Sequence, residues 1–188
     1  MNKVLLLIDC QYGFIEGGNL AVEGSQEKMN KLTNYIIENG GSYDKIFLTA
    51  DWHPTTHCSF KENGGIWPSH CVQFTHDAAI YQPIIDALNT IKADYTVLTK
   101  GVDEDHEEYS VFKNQKSSAK LTKICDVIGV DEIDFCGIAF DYCVKDSAIG
   151  ARKAFPNVAI NVIEEFCPSI GDLKETISIL ENNNINVI

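Results

Sequence analysis

Short apolar runs, each about the length of a strand, recur along the chain and alternate with amphipathic stretches. The runs predict strands at residues 4–8, 46–49, 95–99, 133–136, 158–163 and 185–188. The first run, VLLLI, is apolar at every position, which is typical of a strand buried on both faces of a sheet. The pattern therefore indicates a sheet that is covered on both sides.

The stretches between the strands carry apolar residues at helical spacing. They predict a helix that is capped by Ser25 and ends at Gly40, and later helices over about residues 117–128, 143–155 and 172–180. Alternating strands and helices are typical of a doubly wound α/β fold. We expect a single domain over residues 1–188, in which a mostly parallel sheet of about six strands has helices on both faces.

Residues 51–83 show neither pattern and contain several glycines and prolines. A loop of this length inside a compact domain is usually functional. We expect it to contribute to a binding or catalytic site.

The charge balance argues against two classes of partner. The chain has 188 residues, with 27 acidic and 15 basic side chains and a formal net charge of −12. Such an acidic surface repels phosphate backbones and anionic lipids, so we expect binding to neither nucleic acid nor membranes. The seven cysteines form no CxxC pair, and no apolar run is long enough for a signal peptide. We expect reduced thiols and a cytoplasmic location, and the sequence leaves open a homo-oligomer.

Chemically reactive side chains follow four of the predicted strands. Asp9 follows the first strand, Asp51 and His53 follow the second, Lys100 follows the third, and Cys143 lies shortly after the fourth. The carboxyl ends of the strands form the edge at which open α/β sheets bind ligands. These residue types at one edge indicate a hydrolytic or group-transfer site.

Two of these side chains have alternative interpretations. Cys143 lies at the start of a predicted helix, where backbone N–H groups and the helix dipole favour the nucleophilic thiolate. A cysteine is also common as a small buried hydrophobic residue, which is how we interpret the other six. Asp9 is either a base whose pKa is balanced between burial and Lys100, or an ordinary capping residue.

The long loop contains candidate metal ligands. Asp51 and His53 lie on one face of an extended segment, and His57 and His70 follow them. Two histidines and one carboxylate with open positions are typical of a catalytic site for zinc, iron or manganese. Paired histidines in surface loops are also common without a metal.

Several motifs together carry a resemblance to a known family. They are LLLIDCQ at 5–11, FIEGGNLAV at 14–22, DWHPTTHCSF at 51–60, WPSHCV at 67–72, TKG at 99–101, YSVF at 109–112 and CGIAFDYCV at 136–144. In this order they resemble the nicotinamidases, the metal-dependent branch of the isochorismatase-like cysteine hydrolases. The motifs span nearly the whole chain, and DWH and WPxHC are specific to the metal-bearing branch.

The resemblance implies a catalytic triad of Asp9, Lys100 and Cys143. It also implies a cis peptide bond between Ile138 and Ala139, and an oxyanion hole formed by the backbone N–H groups of Ala139 and Cys143.

The resemblance further implies a metal site beside the substrate. The ligands would be Asp51, His53 and His70, which would hold one divalent ion, zinc before iron or manganese. His57 would lie next to this set without belonging to it. The walls of the substrate pocket would be Phe14, Trp67 and Tyr109.

The implied activity is the hydrolysis of nicotinamide to nicotinate and ammonia through a cysteine thioester, a step in NAD salvage. The alternatives are another small-amide or ureido amidohydrolase of the same superfamily, and a non-catalytic or metal-storage protein that kept the fold. Two positions depart from the family pattern. Gly13 stands where an aspartate is frequent, and Phe140 stands where a threonine is frequent. Neither is a triad or ligand position, so these departures concern the shape of the pocket and the rigidity of its loops.

Overall fold

The computed structural model describes all residues from 1 to 188 and contains one sheet of six strands. The strands are β1 (Lys3–Ile8), β2 (Lys45–Asp51), β3 (Tyr95–Lys100), β4 (Glu132–Gly137), β5 (Ala159–Val162) and β6 (Asn186–Val187). Their order is β3-β2-β1-β4-β5-β6, and every neighbouring pair is parallel. The doubly wound α/β fold is confirmed, and the sheet is wholly parallel.

Five α-helices accompany the sheet. They are α1 (Ser25–Asn39), α2 (Gln82–Thr90), α3 (Gln115–Ile128), α4 (Lys145–Ala154) and α5 (Leu173–Asn182). The sequence pattern does not predict α2, because Pro83 suggests a loop. Proline is tolerated in the first turn of a helix, where its missing N–H leaves no hydrogen bond unmade. The expected cap of α1 is wrong, since Ser25 is already helical and Gly24, with φ 72°, precedes it.

The sheet creates a crevice at the point where its strand order reverses. From β1 the chain builds outward to β3, and from β4 it builds outward in the other direction to β6. Connections that diverge in this way leave an open crevice at the carboxyl ends of the two central strands. β1 is buried at the centre of the sheet, with residues 4–8 fully inaccessible. Its end therefore places Asp9 at the floor of the crevice.

No helix of this fold has both the length and the apolar character needed to span a lipid bilayer.

Candidate active site

Asp9, Lys100 and Cys143 meet in the crevice. Lys100 Nζ lies 2.9 Å from Asp9 Oδ2 and 3.4 Å from Cys143 Sγ. Asp9 and Lys100 are completely buried, and Cys143 is 6% exposed. The fold thus brings together three side chains that lie at or beyond the carboxyl ends of three different strands.

The ends of β1 and β4 fix the position of Asp9. Its backbone is left-handed, with φ 46°, and its N–H donates to Thr49 Oγ1 over 3.1 Å. The Thr49 hydroxyl donates in turn to Asp9 Oδ1 over 2.5 Å. On the neighbouring strand, Gly137 has φ 126°, and a Cβ there would lie 2.0 Å from the carbonyl oxygen of Ile8. Only glycine allows β4 to approach the end of β1 this closely.

Ala139 and Cys143 lie on the connection that follows β4. The peptide bond between Ile138 and Ala139 is cis, as expected. The N–H of Ala139 donates to no acceptor of the protein, and Ala139 lines the pocket beside Cys143. Cys143 lies in a π-helical turn, Phe140–Val144, and the expectation that it opens the α-helix is wrong, since α4 begins at Lys145. The free N–H of Ala139 is therefore available to a substrate oxygen.

Burial controls the protonation of the triad. It raises the pKa of the Cys143 thiol well above its ordinary value, although the charge of Lys100 acts in the opposite direction. Burial also raises the pKa of Asp9 against the same opposing charge. Burial thus favours the protonated thiol of Cys143, which is the form from which Asp9 is expected to take a proton. Asp9 Oδ2 lies 2.9 Å from the Lys100 ammonium and has no other hydrogen-bond partner, so this oxygen can also accept the thiol proton.

Asp51, His53 and His70 form a buried cluster whose ligand atoms all lie within 4.8 Å of one another. His53 Nδ1 lies 2.9 Å from the carbonyl oxygen of Gly101, and His70 Nδ1 lies 2.8 Å from that of Pro68. A carbonyl oxygen only accepts, so both Nδ1 atoms carry the proton and both Nε2 atoms keep a free lone pair. This tautomer is the one a metal requires, and the three side chains fit a divalent ion.

The charges around this cluster also suit a cation. Burial lowers the pKa of His70, which keeps its imidazole neutral. Burial acts to raise the pKa of Asp51, but Lys100 and His53 outweigh it and hold that pKa well below the usual range. Burial acts to lower the pKa of His53, yet the carboxylate of Asp51 outweighs it and raises that pKa. Metal binding at His53 Nε2 and protonation of the same nitrogen therefore compete.

Gly101 is required next to His53. Its φ is 63°, and a Cβ at this position would lie 2.3 Å from His53 Cε1. The imidazole therefore packs against bare backbone, and the same residue supplies the carbonyl oxygen that holds His53 Nδ1.

His57 stacks on His53, with ring centroids 4.0 Å apart, and lies outside the ligand cluster. Its Nε2 donates to the carbonyl oxygen of His106 over 3.2 Å, and its Nδ1 lies 2.7 Å from Ser59 Oγ. Both ring nitrogens are thus engaged by the protein. Burial lowers the pKa of His57 to about 4. His57 therefore lies beside the cluster of Asp51, His53 and His70 and not within it.

Gln11 is a residue of the site that sequence reasoning missed. It is fully buried, and its Nε2 donates to the carbonyl oxygens of Asp51 and Ala78 over 2.8 Å each. Its Oε1 accepts from the N–H of Asp51 over 2.8 Å. Two of these bonds hold the backbone of Asp51 at the end of β2, and the third ties it to the segment that contains Ala78. The sequence feature that could have identified Gln11 as a site residue is its place in the segment DCQ, directly after the end of β1.

A narrow and mostly apolar pocket leads to Cys143 and Asp51. The expected wall residues Phe14, Trp67 and Tyr109 all line it, and Trp67 Nε1 donates to the Tyr109 hydroxyl over 3.0 Å. Five further residues of the wall were not predicted: Leu20, Val22, Glu107, Tyr142 and Ile170. Wider, more open grooves run along α3 and α4, but they contain neither Cys143 nor the cluster of Asp51, His53 and His70. The narrow pocket is therefore the candidate active site.

Two further residues, Glu107 and Phe140, lie in places that the sequence pattern does not indicate. Burial raises the pKa of the Glu107 carboxyl, and the charge of Asp51 adds to this effect. Glu107 lies in the acidic run DEDHEE, which by pattern resembles a solvated surface.

Phe140, which stands where the family often has threonine, is fully buried in the core and does not line the pocket. This departure from the family pattern therefore leaves the pocket wall unchanged.

Comparison with known proteins places the chain in a family. No protein-family model matches it. A nicotinamidase of Acinetobacter baylyi is 34% identical over 187 residues, which cover 90% of this chain and 82% of that protein. The pyrazinamidase of Pyrococcus horikoshii, solved in complex with zinc, is 29% identical and superposes with a TM-score of 0.81 over 100% of this chain and 99% of that one.

A third similar protein is the yeast nicotinamidase, solved with the inhibitor nicotinaldehyde. It is 26% identical, with a TM-score of 0.87 over 99% of each chain. The alignment with the Acinetobacter protein spans most of both proteins, and the two structures share the whole fold. The chain belongs to the nicotinamidase family.

Proposed function

We propose that this protein hydrolyses nicotinamide to nicotinate and ammonia. One observation carries the proposal: a buried thiol, carboxylate and ammonium meet at the end of an apolar pocket, and two members of the three-residue metal cluster, Asp51 and His70, line the same pocket. A flat heteroaromatic amide matches both features. The pocket would enclose the ring, and the triad would act on its carboxamide.

The reaction would begin with a proton transfer from Cys143 to Asp9. The thiolate would attack the carboxamide carbon, and the Ala139 N–H would donate to the oxygen as negative charge develops there. Asp9 would return the proton to the amide nitrogen as the C–N bond breaks, which releases ammonia and leaves a thioester on Cys143. Lys100 would keep its charge throughout, because Asp9 and Asp51 outweigh burial and hold its pKa well above the ordinary value.

The second half of the reaction would regenerate the Cys143 thiol. Asp9, ionised again, would take a proton from a water molecule that attacks the thioester carbon. The C–S bond would break, nicotinate would leave, and the proton would pass from Asp9 to the Cys143 sulfur. The same carboxylate thus acts first as base, then as acid, in each half.

The residues Asp51, His53 and His70 would hold one divalent ion, with zinc the expected metal. When bound, the ion supplies a Lewis-acidic position that a heteroaromatic nitrogen can occupy. Phe14, Trp67 and Tyr109 would hold the ring itself. In this arrangement the metal cluster and the ring walls orient the substrate, while the triad performs the bond changes.

Two consequences for the cell follow from this proposal. Nicotinate released by the enzyme would enter NAD salvage. All seven cysteines are free thiols, and six of them are buried, which favours action in a reducing compartment such as the cytoplasm.

The test is ammonia release from nicotinamide and from benzamide by the metal-loaded protein. Benzamide has the same shape and carboxamide but no ring nitrogen. We expect kcat/KM for nicotinamide to exceed that for benzamide by about 10²-fold or more, because benzamide leaves the metal-facing position unpaired. Metal removal should abolish most of this difference. Equal hydrolysis of both amides would contradict the proposal and favour a broader small-amide hydrolase.

A further inference from the structure

The Asp77 carboxylate bonds to two separate loops beside the pocket. Its Oδ2 accepts from the N–H of Cys71 over 2.7 Å, and its Oδ1 accepts from the N–H of Asn19 over 3.0 Å. Cys71 follows the metal-cluster residue His70, and Asn19 precedes Leu20, which lines the pocket. A single side chain therefore ties the loop that carries a ligand to a loop that forms the wall.

The backbone of Asp77 ties in a third segment. The N–H of Gly13 donates to the Asp77 carbonyl oxygen over 2.7 Å, and Gly13 precedes the wall residue Phe14. The carbonyl oxygen of Gly13 in turn accepts from the N–H of Leu20 over 2.9 Å. Three segments around the pocket thus converge on Asp77.

Cys71 needs such a partner, because its backbone is left-handed, with φ 46°. A residue other than glycine adopts this conformation only where surrounding contacts hold it. The bond from its N–H to Asp77 Oδ2 is short and involves a charged acceptor, which makes it one of the stronger hydrogen bonds available. This bond therefore holds the backbone of the residue that directly follows His70.

The absence of a side chain at position 13 makes room for the Asp77 carboxylate. A Cβ on Gly13 would lie 2.6 Å from Asp77 Oδ2 and 2.8 Å from Cys71 Sγ. A side chain at position 13 and the Asp77 carboxylate cannot occupy this space together. Position 13 is also one of the two points at which the sequence departs from the family pattern.

We propose that Asp77 is the positioning residue of the pocket, and that its carboxylate occupies the place that Gly13 leaves empty. It aligns His70, Leu20 and Phe14 and does not touch Asp9, Lys100 or Cys143. An effect of Asp77 on substrate binding rests on the proposed function, whereas its effect on metal affinity does not.

The first test compares Asp77→Asn with wild type in metal affinity, measured by competition with a chelating indicator. We expect a loss of about 10- to 100-fold, the usual effect of disturbing a group that orients a ligand. The rate at which iodoacetamide alkylates Cys143 should stay unchanged, because the triad does not depend on Asp77. The matched control is Asp44→Asn, which removes a carboxylate that accepts from the backbone N–H of Lys3 over 2.8 Å, away from the pocket.

The second test moves the carboxylate. Gly13→Asp alone should weaken metal binding, because two carboxylates compete for one space. In the background of Asp77→Ala, the same Gly13→Asp change should strengthen it, since the new carboxylate can reach the vacated N–H groups. Such a reversal of sign measures direct coupling between the two positions.

Unchanged metal affinity in Asp77→Asn would overturn the proposal, as would an equal loss in Asp44→Asn. The same holds if Gly13→Asp has one sign in both backgrounds, or if alkylation of Cys143 changes along with metal affinity. None of these measurements uses the amide substrate. If the protein failed to hydrolyse nicotinamide, the effect of Asp77 on metal affinity could still be measured and would still test this proposal. An increase in KM for nicotinamide in Asp77→Asn would show that Asp77 also positions the substrate.

Discussion

Lys100 Nζ lies 2.6 Å from Asp51 Oδ1 and so joins the proposed triad of Asp9, Lys100 and Cys143 to the metal cluster. The same ammonium lies 2.9 Å from Asp9 Oδ2, and all three side chains are buried. One cation therefore neutralises the carboxylate that would act as base and the carboxylate that would bind the metal. A change at Lys100 should affect both halves of the site.

Replacement of Lys100 by Met should lower kcat/KM by about 10²- to 10⁴-fold, the range expected when acid–base catalysis is lost. It should also destabilise the fold by about 3–5 kcal/mol, because two buried carboxylates are left without a counter-charge. Activity and urea unfolding measure the two effects. Asp9→Asn added to Lys100→Met should recover part of the stability, since it removes one of the two facing charges. Lys31→Met, which breaks only an exposed pair with Glu27, is the control and should change neither quantity.

Alkylation of Cys143 should rise with pH beyond pH 9, because burial holds the pKa of this thiol above its ordinary value. Iodoacetamide labelling followed by mass spectrometry gives the rate for each cysteine. Nicotinamide should protect Cys143, which lines the pocket, and should not protect Cys58. Cys143→Ala should abolish turnover with the fold retained. A labelling rate for Cys143 that is already maximal at pH 7 would mean that the thiolate is preformed.

Gly101→Ala should remove most metal binding. The added Cβ would meet the His53 ring at 2.3 Å, and the left-handed φ of 63° adds strain. Metal content after dialysis and ammonia release should fall together. Gly41→Ala is the matched control, because a Cβ there meets nothing within 4 Å. If the Gly101→Ala protein keeps full metal content, His53 is not held against this backbone.

Stability should decrease in alkaline solution. Burial raises the pKa of Cys125 and of Cys167 to about 12, from an ordinary value of 9.0. Between these values the native state keeps protons that the unfolded chain releases, so unfolding becomes easier as the pH rises. The stabilisation is complete below about pH 9 and is lost through about pH 12, at about 1.4 kcal/mol per pH unit for each thiol.

Urea unfolding at pH 8 and pH 10 in reducing buffer measures this effect. Between these two pH values, the free energy of unfolding of Cys125→Ala should fall by about 1.4 kcal/mol less than that of wild type. Only the interval from about pH 9 to pH 10 contributes, because it lies above the ordinary pKa of a thiol. Cys58→Ala should show nearly the wild-type fall, since the Cys58 thiol is only partly buried. An identical fall in the Cys125→Ala protein would exclude this thiol as a cause.

The sequence by itself determined the fold class and the chemistry of the site. Unbroken apolar runs can be satisfied only by burial on both faces, and in a parallel sheet this places the residue after each run at a common edge. Asp9, Asp51 and Lys100 could therefore be assigned to one edge from their positions alone. Cys143 and the histidines required the motif order as well, because a cysteine or histidine in isolation is ambiguous.

Only the tertiary structure decided how these groups act on one another. The pKa of Cys143 depends on its burial beside Asp9 and Lys100, which a local helix-dipole argument does not contain. Helix α2 was missed because the sequence shows that Pro83 is present but not that it falls in a first turn.

Gln11 and Asp77 show the same limit more generally. Each acts through bonds to backbone atoms that are distant along the chain: Asp51 is 40 residues from Gln11, and Asn19 is 58 residues from Asp77. Backbone N–H and carbonyl groups are chemically the same at every position. A sequence pattern therefore carries no signal for which of them a buried side chain will bind, and the folded chain alone makes that choice.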